Sequence, residues 1–513
     1  MWQDKRDQST DRGHFAIGRI LQQGHFTTRI LKIAVCAFAI LSISANNSAW
    51  ATSSKDELDN QAAQQLQQPN PTGSQRVSRV ILGSESPVQP QIEFQRRAVI
   101  PQVNSKNSSK KLSIIANSQA TEIVAKTDVT TIVPAPVPIP VTLNRYEKLL
   151  TNKAQRYIDK NWNETTGLID SVQGYTHATM WDIASGIGAL LALEALNVSD
   201  PHVTDIRLAK LLTTLYNLPL YDGKLPNRQY NTVTGKPSGR YSDTPSNGNG
   251  WSALDLGRLY IWLAIIAQKK PHLAADVDNI KLKWQLNAAV HRKTLYGTKL
   301  TSKKEYFRQE GRLGYLQYAA TGYQMMNLDV ANAFNCDRLK EINIEGMSVK
   351  TDVRNLPFLT LDPFLLYTIE VGSEASCWNQ LSTLFELHNF KYKTNQKLTA
   401  YAEDSLSKSP WFLYNNIYYQ GQAWHSVSHS GKPIADSQTF SNKAAFAMSV
   451  IFQNEYSEKL ATQVITNSAR HSEIPTGLYH NGKTNTAYNI NTNSLILVSL
   501  WYKTRGRIAI WQD

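Results

Sequence analysis

The sequence predicts an all-α protein, antiparallel helical hairpins closed into a ring, and three observations carry that prediction. From Thr142 onward, apolar residues recur at helical spacing through roughly a dozen segments. Strand-like patterns are confined to short pieces between them. No exact short repeat is visible, so a ring of about six helical hairpins explains the alternating short and long links better than a long solenoid.

Taken in order, the helical domain is expected over residues 142–513. LNRYEKLLTNKAQRYIDKNW opens it as a helix, and MWDIASGIGALLALEA follows a polar loop. Ser199 and Asp200 are plausible caps for the next helix, SDPHVTDIRLAKLLTTLYNL, through Leu218. The stretch from Leu218 to Gly250 is rich in Gly, Pro, Asn and Ser. A loop that long in a compact domain usually serves binding or catalysis. Helices then follow at Trp251–Leu263, after Pro271, and from Leu313 through Phe334, with a hairpin-like connector between Leu300 and Arg312. Residues 337–358 suggest a small strand pair. Further helices follow Pro363 and Ser373, and SNKAAFAMSVIFQN, SEKLATQVITNSA and TNSLILVSLWYKTRG complete the set.

The first 141 residues read differently. Lys5, Arg6, Arg12, Arg19, Arg29 and Lys32 precede the apolar run Ile33–Ile43, and small residues follow. The run is short for a membrane span and suits an export signal within residues 1–49, with an uncleaved membrane anchor as the second reading. Residues 50–141 form a low-complexity, Pro-rich spacer, including TTIVPAPVPIPV. An exported chain is expected to be periplasmic, where Cys336 and Cys377 could form a disulfide, and two buried thiols is the alternative.

The 54 basic residues outnumber the 41 acids, but they are spread along the chain, and no nucleic-acid-binding module accompanies them. No nucleic-acid partner is therefore expected. HExxH, Walker and GxSxG motifs are missing, as is a GxGxxG loop in strand–helix context, and His425 and His429 alone are weak metal ligands. The chemistry is expected to run on side chains, without a cofactor.

Acids at loop–helix boundaries are the main catalytic candidates. Glycosidic hydrolysis uses two carboxyl groups, one to protonate the leaving oxygen and one to activate water or attack the sugar. Glu310, beside Arg312 in a glycine-flanked segment, is the first choice for the acid. Asp182 is the candidate base or substrate ligand, and Asp255, Asp362 and Glu403 complete the set. Each has a plainer role as a cap or an ion-pair partner, and Arg258 in particular can pair with Asp255. Aromatic rings stack on sugars while polar groups meet hydroxyls. The candidate substrate contacts are Trp181, Asn227, Arg228, Tyr230, Trp251, Arg258, Arg312, Tyr315, Tyr318, Trp411, Tyr414 and Trp424.

MWDIASGIGALLALEA, LPNRQYNTVTG, GWSALDLGRLYIWL, QEGRLGYLQYAATGY, LTLDPFLLYTIEVG, SPWFLYNNIYYQGQAW, SNKAAFAMS and TNSLILVSLWYK span about Tyr146 to Gly506. In order and breadth these segments resemble the bacterial DUF3131 family, which is similar to glucoamylase-like helical toroids. The resemblance implies an (α/α) toroid and an exported, carbohydrate-related role. An acid is expected after Tyr315, where this sequence has Leu316. The resulting expectation is an exported glycoside hydrolase acting on a bacterial oligo- or polysaccharide, with a glucan as the candidate substrate and inversion slightly favoured by analogy. The alternatives are a noncatalytic glycan-binding or envelope-assembly protein, and a polysaccharide lyase or sugar epimerase.

Overall fold

The computed structural model describes residues 141–353, 358–372 and 376–512. The expected export segment with Cys36, and the spacer up to residue 140, lie outside the described residues. Eleven α-helices and several small antiparallel sheets are described.

The helix starts follow local chemistry. Helix α1 (Arg145–Asn161) opens on a capping box: the Asn144 side chain accepts from the amides of Tyr146 and Glu147, and the Glu147 carboxylate accepts from the Asn144 amide. Helix α2 (Met180–Ala195) repeats the device with Thr179 and Asp182. Helix α3 (Pro201–Asn217) is capped by Asp200 and has Pro at its first position. Helix α4 (Ala253–Lys269) starts on Ser252 and runs well beyond the expected Leu263. The others are α5 (Ala274–Lys283), α6 (Tyr315–Met325), α7 (Asp362–Glu370), α8 (Leu381–Asn395), α9 (Asn442–Ile451), α10 (Glu455–Ser468) and α11 (Ile490–Thr504).

Two classes of helix separate by composition. In α2, 14 of 16 residues are buried, so it must be surrounded. In α3, 5 of 17 are buried, on a single stripe. The surrounded helices contact one another in sequence order: α2 with α4, α4 with α6, α6 with α7, α7 with α9, α9 with α11, and α11 with α2. Outside them, α1 packs on α11 and α2, α3 on α2, α5 on α4, and α10 on α9. The fold is predominantly α-helical and consistent with an (α/α)-toroid-like architecture.

One expected hairpin departs from the helical pattern. The segment between α6 and α7 holds an antiparallel strand pair, β8 (Leu339–Ile344) and β9 (Met347–Asp352), as the mixed composition of residues 337–358 suggested. Asn343 and Gly346 turn it, with Glu345 and Gly346 both at positive φ. Among the described residues, five helices rather than six therefore lie outside the inner set. Cys336, just before β8, is disulfide-bonded to Cys377, with their Cα atoms 6.3 Å apart.

The long Leu218–Gly250 segment is braced rather than open. It carries β2 (Leu220–Tyr221), β3 (Leu225–Pro226) and β4 (Gln229–Asn231), the last paired with β1 (His177–Thr179) ahead of α2. The connector before α6 is a hairpin of β6 (Thr294–Leu300) and β7 (Glu305–Gln309), sharing a sheet with β5 (Val290–His291). Both pack at the N-terminal end of α4, where the Leu300 amide donates to Asn249 and the Thr298 amide to Trp251.

Helices α4 and α6 approach at backbone distance. A Cβ at Gly322 would lie 1.9 Å from the Gly257 carbonyl oxygen, and one at Gly257 would lie 2.4 Å from that of Ala319. Rigid backbone cannot yield as a flexible side chain could. Gly322→Ala is therefore expected to cost at least about 1–3 kcal/mol, the usual range for overpacking, read as a lowered urea midpoint. An unchanged midpoint would show that the two helices can separate freely.

Candidate functional site

The N-terminal turns of the surrounded helices converge on one cleft. It is lined by Trp181 of α2, Arg258 of α4, Tyr315 of α6, Asp362 and Leu366 of α7, Lys443 of α9, Asn491 and Leu495 of α11, and Glu403. Every helix in that set contributes. The cavity volume is about 10 Å³, roughly room for one water.

Glu403 reaches the cleft from an extended loop that continues into β11 (Asp404–Ser405), which pairs with β12 (Phe412–Tyr419). Asp362 stands at the first turn of α7, where exposed amides favour a carboxylate. Its Oδ2 accepts from the Glu403 amide at 2.9 Å and the Thr360 hydroxyl at 3.2 Å, and its Oδ1 accepts from Lys443 Nζ at 2.6 Å. Lys443 Nζ also donates to the Glu403 carbonyl at 2.6 Å. The two acids are thus tied together through one amide and one ammonium.

Arg258 also lines the cleft. Its guanidinium carbon lies 4.7 Å from the Trp181 ring centroid. Nη2 pairs with Glu370 Oε1 at 3.0 Å, and Nη1 donates to Ser185 Oγ at 2.7 Å. Tyr318 donates its hydroxyl to the other Glu370 oxygen. Burial alone would lower the Arg258 pKa, but Glu370 and Tyr318 more than offset this and raise it. Trp181 meets Tyr315 and Tyr318 edge-on, at centroid distances of 5.7 and 5.9 Å.

The sequence candidates therefore divide. Asp362, Glu403, Trp181, Arg258 and Tyr315 come together in the cleft. Asp182 stands one residue behind Trp181: Oδ2 caps α2 and Oδ1 accepts from Asn491 at 2.7 Å, so it orients a cleft residue. Tyr318 supports Arg258 through Glu370. Asp255 is buried in the first turn of α4 and does not line the cleft.

Glu310 is placed apart from the cleft. Its Oε1 accepts from Arg228 Nη2 at 2.8 Å and its Oε2 from the Ala253 amide at 2.6 Å, so it ties the strand hairpin to the start of α4. Arg228 also donates to the Thr298 carbonyl, and Arg312 to Gln309 and Gly311. Asn227 and Tyr230 brace the long segment from inside: the Asn227 amide donates to the Tyr230 hydroxyl, which donates to the Pro219 carbonyl. Trp251 donates to the Tyr296 carbonyl. Tyr414 packs with Tyr419 and Val427, Trp424 donates to Glu345, and Trp411 is 40% exposed elsewhere on the surface.

Sequence reasoning did not single out Lys443, Asn491, Leu366 or Leu495. A signal for Lys443 was present. It is the only cation of SNKAAFAMSVIF and falls in the first turn of the helix, where the exposed amides disfavour a positive charge. Among the described residues, no group of three or more His, Cys, Asp or Glu is arranged to hold a metal ion.

The Arg258–Glu370 pair gives a direct stability expectation. Glu370→Gln leaves a buried guanidinium without its counter-charge, so unfolding should become easier by about 3–5 kcal/mol, read by denaturant titration at neutral pH. A change well below 1 kcal/mol would contradict the assigned role.

In sequence, residues 150–506 match the family described as protein of unknown function (DUF3131). No curated protein matches the chain. Solved structures share the fold at low identity. A candidate glucoamylase from Bacteroides caccae superposes with a TM-score of 0.54 at 13% identity, over 71% of this chain and 94% of that one. A candidate glucoamylase from Bacteroides fragilis gives 0.54 and 13%, over 74% and 95%. An endo-β-1,2-glucanase from Chitinophaga pinensis, in complex with sophorotriose and glucose, gives 0.53 and 12%, over 71% and 93%. These likenesses concern the fold, which this chain shares with carbohydrate-active proteins, and the match over most of its length establishes that it belongs to the DUF3131 family.

Proposed function

We propose that the chain is an exported glycoside hydrolase cleaving a bacterial oligo- or polysaccharide, with Glu403 and Asp362 as its carboxyl pair. The observation that carries this reading is that two acids and two aromatic residues line one cleft at the N-terminal ends of the inner helices. The cyclic order of helix contacts supports a closed (α/α) toroid of six hairpin units, one unit having a β-hairpin as its outer member. The fold relatives named as glucanase or candidate glucoamylases support a glucan as the substrate class. The leading basic and apolar segments support export to the periplasm, with membrane anchoring through residues 1–49 as the alternative.

Roles follow from the contacts. Both Asp362 oxygens accept hydrogen bonds, which suits the group that receives a proton from water or stabilises positive charge on the sugar. Glu403 takes the complementary role and delivers a proton to the departing glycosidic oxygen. Trp181 and Tyr315 offer apolar ring surface to the sugar, while Asn491 offers polar contact. Water then completes cleavage of the C–O bond, leaving a new reducing end and a new hydroxyl.

The small cavity and the Lys443–Asp362 tie favour a second reading, a glycan-binding protein that holds a sugar without cleaving it. A panel of bacterial glucans incubated with the full chain separates the two, with new reducing ends and product masses as readouts. Glu403→Gln and Asp362→Asn should each lower turnover by about 10²–10⁴-fold while glycan binding persists. Saturable binding without product in the wild-type chain would select the binding reading. Undiminished turnover in both variants would reject this carboxyl pair, and an unsaturated product would indicate a lyase.

A further inference from the structure

Below the cleft, a third carboxyl group shares the Lys443 ammonium. Lys443 Nζ lies 2.6 Å from Asp362 Oδ1 and 3.7 Å from Asp404 Oδ1. Asp404 is 1% exposed and does not line the cleft. Its Oδ2 accepts from Gln438 Nε2 at 2.7 Å, and Gln438 is itself held through Oε1 by Asn485 at 2.7 Å. The groups facing Asp404 are Lys443 of α9, Asp362 of α7, and Ser441 and Gln438 of β14 (Gln438–Ser441), with Glu403 preceding it in the chain. Lys443 therefore stands between two acids and leans toward one. Burial pushes the Asp404 carboxyl up to about 7, with Lys443 acting against that rise and Asp362 adding to it.

We propose that Asp404 competes with Asp362 for the Lys443 ammonium and thereby sets the charge of the cleft floor, as a positioning residue for the carboxyl pair. The catalytic consequence rests on the hydrolase reading, but the competition itself does not. With Asp404 protonated, Lys443 and Asp362 form a neutral pair. When Asp404 releases its proton to solvent, the same group of three carries one negative charge. A negative charge beside Glu403 favours its protonated form, so the proton donor persists to higher pH. Replacing Asp404 by a neutral side chain removes that charge, and Glu403 should give up its proton at lower pH.

Two measurements on the full chain test this. In the first, kcat is followed from about pH 5 to 9 for wild type, Asp404→Asn and the conservative Asp404→Glu. The basic limb should move down by about one pH unit or more in Asp404→Asn and return toward wild type in Asp404→Glu. Superimposable basic limbs would overturn the proposal. The second measurement needs no substrate. A carboxyl group whose folded pKa lies above its unfolded value contributes stability that is full below about pH 4 and lost as pH rises to about 7. Denaturant midpoints of wild type should fall relative to Asp404→Asn across that window and run parallel above it. Midpoints that stay parallel throughout would overturn the proposal whether or not the chain hydrolyses glycans. A diverging pair of curves with no hydrolysis of any glycan would sustain the charge competition and defeat the hydrolase reading alone. If Asp404→Asn does not fold, Asp404→Ser carries both comparisons, since it removes the carboxyl group with less bulk.

Discussion

The buried guanidinium of Arg258 is the contact on which the rest of the cleft depends. Removing a charge from water is expensive, and here the cost is offset by a carboxylate from one neighbouring helix and a hydroxyl and an indole face from another. Glu370 belongs to α7, Ser185 and Trp181 to α2, and Arg258 to α4. One side chain therefore fixes how three helices meet. Trp181 is oriented by it, and Tyr318 is oriented through Glu370. The polar partners of Trp181 and Tyr318 hold both rings in place.

The acids near Glu403 follow a different rule. Asp362, Glu403, Asp404 and Lys443 are joined through one ammonium that serves two carboxyl groups and a carbonyl. The backbone amides of the inner helix starts add partial positive charge, which helps these acids stay so near one another.

Much of the fold was legible in the sequence because inner and outer helices differ in periodicity. MWDIASGIGALLALEA is apolar on every side, while PHVTDIRLAKLLTTLYN shows one stripe, and the two segments occupy inner and outer positions. Helical spacing marked the segment that forms α1, and mixed composition marked the strand pair near residue 345. The site was less legible, since every acid at a loop–helix boundary looks alike in one dimension. Asp362 and Glu403 line the cleft, whereas Glu310 shows an equivalent local pattern yet faces Arg228 and an amide. The difference comes from contacts across 82 residues of chain, which no local window carries. Lys443 escaped because a lysine in a helix ordinarily reaches water, and here it is 6% exposed.

The packing of α11 on α1 and α2 has a consequence for how the molecule comes into being. The last helix supplies Asn491 and Leu495 to a cleft whose first residue, Trp181, is some 310 positions earlier. Contacts of that sequence separation are entropically costly to close, so they are expected to form late. During synthesis the N-terminal helices emerge well before the partner that covers them, and their apolar flanks stay uncovered in the interval. The same architecture that brings every inner helix to the cleft also postpones a finished tertiary structure until the last of them has been delivered.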